Sequence, residues 1–336
     1  MKKINVLFST KVEFKTITEN LKSVLLNNEK INLIILDKNQ ELNQLVSIME
    51  DTDFDVFLHK NEHCQLNTCV NIKKAIDFCY KKNKVPAYVD FGYFDHYKNY
   101  IIDYYLPNYK SSIEKVFPTL DQKITDLQKP IETYISSFKQ KIENTNDTFD
   151  FVNLNLSKQN FAVIWAQFDT FLLKDSFKKE TPNNESWILR LCKEIKNQNL
   201  VPVVKISPCE VKYDLNEIKK ESLVIASTKE QSEKFDIPNI PNANFYLNKY
   251  AHSHFINCSS ISNELILNNS KITAMGKSWF NGLEIFHEPE NWSSVMNYKN
   301  ASIVSINQWI NWWNLRQAPI KKLDIKILEI FKEFYK

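Results

Sequence analysis

HFINCSSISNELILNNSKITAMGKSWFNG, residues 254 to 282, is the stretch on which the fold turns. Its first apolar run leads into Ser259 and Ser260, which open a helical pattern carrying Glu264, and a second apolar run ends at Gly276. Strand, polar turn, helix and strand make the repeating unit of a parallel sheet with helices on its faces. Hydroxyls at the start of a helix cap its free N–H groups, and those groups together with the helix dipole favour a phosphate. A plain serine cap would account for the two serines, but not for Gly276 and Gly282 just downstream. The whole chain has only three glycines, the third being Gly92, where average usage of about 7% would give roughly twenty-four. Each is expected where a Cβ atom does not fit, through positive φ or close backbone approach.

Upstream of this unit the same alternation recurs. INVLFS (4 to 9), INLIIL (31 to 36), DVFLH (55 to 59) and VPAYVDF (85 to 91) read as strands. Residues 13 to 26 and 68 to 81 carry apolar positions at helical spacing between them. A Tyr-rich stretch (93 to 109) and a polar, helix-compatible region (111 to 143) follow, ending in the turn-like ENTNDTFD. The domain boundary is expected at about 145 to 155. A second series then begins, with strands expected at 161 to 168, 201 to 207, 223 to 228, 254 to 258, 271 to 275 and 302 to 306. The expected organisation is an α/β protein of two Rossmann-like, doubly wound domains, 1 to 150 and 151 to 306, with helices over 307 to 336 packing across both. Ligands of such sheets bind outside the carboxyl ends of the strands, so a central cleft between the domains is the expected site. Neither GxGxxG nor GxxxxGK[ST] occurs, which leaves the classical dinucleotide and P-loop readings without support.

Composition narrows the function classes. The 336 residues are 43% hydrophobic and 25% charged, ordinary globular usage with room for two cores. Net charge is +3, without the basic stripe of a duplex binder, so nucleic acid is not an expected partner. The opening MKKINVLFST has a four-residue apolar run, too short for a signal peptide or a membrane span, and a cytoplasmic location is expected. The six cysteines form no CxxC and read as reduced, small apolar residues. His59, His63 and Cys64 have no further ligand pair, and Asp51, Asp53 and Asp55 precede an apolar strand instead of ending one. No metal site is therefore expected. Residues 306 to 336 combine Trp309, Trp312 and Trp313 with basic residues. Packing across the domains is the first expectation for this segment, and peripheral contact at the inner face of a membrane the second.

The segment from His254 resembles the signature of the capsular polysaccharide biosynthesis glycosyltransferases, the Kdo-transferase-like group. That pattern is a strand, Ser-Ser or Ser-Thr, Glu-Ala-Leu, a short strand, and Gly followed by an aromatic. The parallels are Ser259, Ser260, Glu264, Leu265 (Ala in the family), Gly276, and Trp279 or Phe280. Three further segments fall in the family's order between about residues 85 and 285. VPAYVDFGYF is similar to its acidic-x-Gly-Tyr element, with Asp90, Gly92 and Tyr93. WAQFDTFLLKDS is similar to its Gln and Asp-Ser strand and loop, with Gln167, Asp175 and Ser176. VVKISP is similar to its Lys-x-His-Pro element, with Lys205 and Pro208, and with Ser207 where the family has His. That histidine is associated in the family with the nucleotide phosphate.

The resemblance implies a GT-B glycosyltransferase, with an N-terminal acceptor domain and a C-terminal domain for a CMP-sugar or UDP-sugar. It implies no cofactor beyond that co-substrate and no essential metal. Donor-binding residues would be Gln167, Asp175, Ser176, Lys205, Ser207, Pro208, Ser259, Ser260 and Glu264, with Gly92, Gly276 and Gly282 at backbone turns. Asp90 ends an apolar strand two residues before a glycine, where a carboxylate would face the cleft and take the proton of an acceptor hydroxyl. A solvated turn or a helix cap is its plain alternative, and Asp95 the substitute candidate. The acceptor would be a glycan or another hydroxyl compound. The same fold would serve a phage-type transferase acting on a modified DNA base, against which the low net charge counts. It would also serve an inactive binding or assembly protein, for which Ser207 in place of His is the best support.

Overall fold

The computed structural model describes residues 3–9, 15–36, 44–60, 70–91, 99–106, 110–124, 126–145, 154, 156–166, 173–208, 213–257, 259, 261–276, 282–298 and 300–336. In chain order the elements are β1 (Ile4–Ser9), α1 (Lys15–Leu25), β2 (Ile31–Ile35), α2 (Leu45–Asp51), β3 (Val56–Lys60), α3 (Val70–Lys81), β4 (Val85–Phe91), β5 (Asn99–Leu106), β6 (Lys110–Ser111), α4 (Ile113–Val116) and α5 (Lys129–Glu143). Then come β7 (Phe161–Ala166), α6 (Asp175–Lys178), α7 (Asn184–Asn197), β8 (Val201–Ile206), α8 (Asn216–Glu221), β9 (Leu223–Ile225), α9 (Lys229–Phe235), α10 (Ala243–Tyr250), β10 (Ser253–Ile256), α11 (Ile261–Leu267), β11 (Ile272–Ala274), α12 (Ile303–Arg316), β12 (Gln317–Pro319) and α13 (Leu323–Phe334).

Two compact units emerge. One is Met1–Ile131 with Gln308–Lys336, the other Glu132–Asn307. The division therefore falls inside α5 and α12, whereas the turn-like composition had placed it at 145 to 155.

The first unit holds a sheet in the order β12-β5-β4-β3-β1-β2, with β6 added beside β5. β1 to β4 are parallel, β5 runs antiparallel to β4, and β12 runs antiparallel to β5. Among the parallel strands the order is second, first, third, fourth, which puts the switch point between β1 and β3. The β5 strand, NYIIDYYL, lies in the Tyr-rich stretch, whose alternation the aromatic count obscured. Tyr100, Ile102 and Tyr104 join the core with Leu323, Ile327 and Ile330 of α13. Asp103 lies on the opposite face and pairs with Arg316, Nε to Oδ1 at 3.1 Å. Arg316 also reaches Glu333 at 2.6 Å and donates to Ser112 Oγ at 2.9 Å. Burial would lower the guanidinium's proton affinity, but the Asp103 and Glu333 carboxylates raise it further than burial lowers it.

The second unit holds five parallel strands in the order β11-β10-β7-β8-β9. Numbered within the unit this is third, second, first, fourth, fifth read from the β9 edge, the dinucleotide-fold order, with its switch point between β7 and β10. The β7 strand, FAVIWA, is buried along its whole length, as a central strand covered on both faces must be. After it, α7 starts on a capping box: Asn183 Oδ1 accepts the Ser186 N–H at 2.8 Å. Cys192 and, in the first unit, Cys79 are free and buried.

Two expectations need correcting. Residues 302 to 306 open a helix, not a strand: Ser302 Oγ accepts the Ser305 N–H at 3.0 Å, and the β-branched run Ile303–Val304 continues into α12. Trp309, Trp312 and Trp313 on that helix are fully buried, the first stacked on the second at 5.8 Å, so they offer no ring to a lipid interface. Among the described residues no helix is long and apolar enough to cross a membrane.

Candidate functional site

In the second unit, the described residues of the expected donor set lie in the segments that follow β7, β8 and β10, except Lys205, which is on β8 itself. Gly276 follows β11, and a Cβ placed on it would lie 2.5 Å from the Asn257 carbonyl oxygen at the end of β10. Only glycine permits this backbone approach. Leu173 forms a bridge with Gly276, and the Lys174 N–H donates to the Met275 carbonyl at 3.1 Å. Asp175 and Ser176, both exposed in the first turn of α6, follow directly on this junction with the end of β11. Gly282 is different. It has φ of +82° and open space around its Cα, and its N–H donates to Glu288 Oε1 at 2.8 Å. The first glycine answers to close approach and the second to left-handed backbone.

Lys205, on β8, is buried, and its Nζ donates to the Ala226 carbonyl at 2.8 Å and to Ser227 Oγ. Both partners are neutral, and burial pulls its pKa down to about 8. In register beside it on β7 stands Trp165, whose Nε1–H donates to His254 Nδ1 at 3.2 Å. Indole nitrogen only donates, so Nδ1 must accept and the imidazole proton sits on Nε2. Burial holds His254 neutral, with its pKa near 3. Lys205 and Trp165 are register neighbours on β8 and β7, and His254 on β10, opposite Val163, meets Trp165 diagonally across the switch point.

The next segment adds more. Asn257 and, on α11, Asn263 are almost fully enclosed. Glu264 is half-buried, and the Tyr134 hydroxyl approaches its Oε1 at 3.5 Å. Its pKa rises to about 7, chiefly through desolvation and against the opposing influence of Tyr134 and Lys141. Ser259 is partly exposed ahead of α11, a helix of seven residues. Ser207 and Pro208 follow β8, where the Ser207 carbonyl accepts Gln231 Nε2–H at 2.7 Å. Gln167 and Ser260 lie outside the described residues, as do Trp279 and Phe280.

In the first unit, the Asp90 backbone lies near the carboxyl end of β4 opposite Ile101. Gly92, Tyr93 and Asp95 lie outside the described residues, as do His63 and Cys64. Register places Ser9, His59, Tyr88 and Asp103 side by side on β1, β3, β4 and β5, a polar row on one face. Ser9 ends β1 and His59 is the last residue but one of β3, the two switch strands, and the His59 ring stacks on Tyr105 at 5.6 Å. Asp53 and Asp55 lie at the other, amino end of β3, where Asp55 Oδ2 accepts the Asn5 N–H at 2.9 Å.

The sequence reading missed His254, Asn257 and Asn263. The signal they carry in the sequence is that each is a polar residue in an apolar, periodic run: His254 within β10, Asn257 just past its end and Asn263 on α11.

No protein-family model matches the chain, and no curated protein matches it in sequence. Solved structures do resemble it. The beta Kdo 2,7 transferase of KpsC from Thermosulfurimonas dismutans is 13% identical, with a TM-score of 0.52 over 98% of this chain and 99% of that one. The beta Kdo 2,4 transferase of KpsC from the same organism is 10% identical, with a TM-score of 0.54 over 100% and 99%. At such identity the likeness speaks for the fold alone, two Rossmann-like units of the GT-B type, and the strand orders of the two sheets agree with Rossmann-like units.

Proposed function

We infer that the protein is a glycosyltransferase that moves a sugar from a nucleotide-activated donor, a CMP-sugar or UDP-sugar, to a hydroxyl of a glycan or similar acceptor. The observation that carries this reading is Lys205: a buried ammonium at the carboxyl ends of the second sheet whose described partners are two neutral oxygens. A buried charge without a counter-ion is costly, and a phosphate would supply one. The shared fold with two Kdo transferases supports the same chemistry.

In this reading the donor phosphate is bound by Lys205 and by the hydroxyls of Ser259 and Ser260. Asp90 takes the proton from the acceptor hydroxyl as its oxygen bonds the anomeric carbon. The bond from that carbon to the phosphate oxygen breaks, its electron pair leaves with the nucleotide, and Lys205 offsets the charge that develops. Asp175, Ser176 and Glu264 would contact the donor's polar groups. Thermal melting with CMP-, UDP- and GDP-sugars tests the reading. Ligand at a hundredfold its Kd should add about 2.7 kcal/mol of stability, and Lys205→Met should remove most of the effect. A protein whose melting none of these compounds shifts would refute it.

A further inference from the structure

The β10 to α11 segment concentrates buried polar atoms that find no hydrogen-bond partner among the described residues: His254 Nε2, and both amide atoms of Asn257 and of Asn263. Asn257 is 0% and Asn263 1% exposed. Buried polar groups in folded proteins are nearly always paired, because an enclosed and unpaired donor or acceptor has lost its water and gained nothing. Here two whole carboxamides are left open within seven residues of each other. They follow the switch strand β10, on the side of the sheet where doubly wound folds take ligands. The backbone holding the first is fixed by Gly276, whose missing Cβ leaves room for the Asn257 carbonyl.

We propose that Asn257 and Asn263 are specificity-determining residues of the donor site. This rests on the donor reading given above and adds to it what the site distinguishes. A carboxamide is uncharged and offers both N–H donors and a C=O acceptor, so its complement is a neutral group that also donates and accepts. A phosphate, which only accepts, does not match it and falls to Lys205. The matching group is either the base edge and ribose of the nucleotide or the hydroxyls of the transferred sugar.

The test uses Asn257→Leu and Asn263→Leu, singly and together, in the full chain. Leucine is close in shape to asparagine and buries no polar atom. Where the amides are truly unpaired, the ligand-free variants melt at or above the parent temperature, while affinity for the donor falls at least tenfold. Where a leucine variant does not fold, Asn257→Ala and Asn263→Ala carry the same binding readout. Calorimetric titration with CMP and UDP, and separately with their sugars, distinguishes the two sources. Loss with the bare nucleotides assigns the amides to base or ribose, and loss only with the nucleotide-sugars assigns them to the sugar. Variants that bind both ligand classes like the parent overturn the inference and leave the donor reading standing, provided Lys205→Met weakens binding. Leucine variants that melt several degrees lower with unchanged affinity also overturn it, since enclosed water would then be satisfying the amides. A parent that binds no nucleotide or nucleotide-sugar overturns both.

Discussion

Glu264→Gln should make the protein more stable at pH 8 and leave it nearly unchanged at pH 4.5. The Glu264 carboxyl is desolvated on α11, and its pKa rises from 4.5 to about 7. The folded state therefore holds a proton that the unfolded chain releases at lower pH. Its contribution is fully present below about 4.5 and is lost as pH rises through about 7, because a charged carboxylate must then be buried. At about 1.4 kcal/mol for each tenfold change in proton affinity, the difference amounts to about 3 kcal/mol. Glutamine keeps the size and the contact with Tyr134 but cannot ionise, so it escapes this loss. Urea unfolding of parent and variant at pH 4.5, 6 and 8, with equal m-values, measures the gap directly. The gap should open from near zero to as much as about 3 kcal/mol. A gap independent of pH, or one that favours the parent at pH 8, would refute the assignment of a desolvated carboxyl with a near-neutral pKa.

Gly276→Ala drives a methyl group to 2.5 Å from the Asn257 carbonyl. Backbone must move, and a loss of about 1–3 kcal/mol is expected in denaturant midpoints, together with weaker nucleotide binding. Equal stability would mean that the close approach is not maintained. Arg316→Met removes the guanidinium paired with buried Asp103, and about 3–5 kcal/mol should be lost. Adding Asp103→Leu should restore part of that, and a double variant no more stable than the single would count against an uncompensated charge. Asp90→Asn should lower turnover on the order of a hundredfold or more at saturating substrates while sparing donor affinity. Near-parent turnover would move the general base to Asp95.

Much of the framework is legible in the sequence because parallel strands buried on both faces read as uninterrupted apolar runs. FAVIWA and VPVVKI are bounded within a residue or two of where they fold. The scarcity of glycine points to backbone constraint, and Gly276 meets it through close approach and Gly282 through positive φ. What failed is equally specific. The first five residues of SIVSINQWINWW favour a strand by composition, but the tryptophans spaced three and four apart belong to a helix that buries them. β12 is three residues long and ends in Pro319, a length with no periodicity to read. Unit division within α5 and α12 leaves no turn or linker signature in either place. At the site, Lys205 and Gly276 are visible as motif residues, whereas the roles of His254 and Asn257 depend on which atoms remain unpaired, which only coordinates reveal.

Hydrogen–deuterium exchange with and without a saturating nucleotide-sugar tests the central claim most directly. Binding of the donor by the second sheet predicts slower exchange in residues 201 to 208, 223 to 228 and 254 to 276, strongest from Asn257 to Glu264. Protection confined to the first unit, or exchange unchanged throughout the chain, would contradict it.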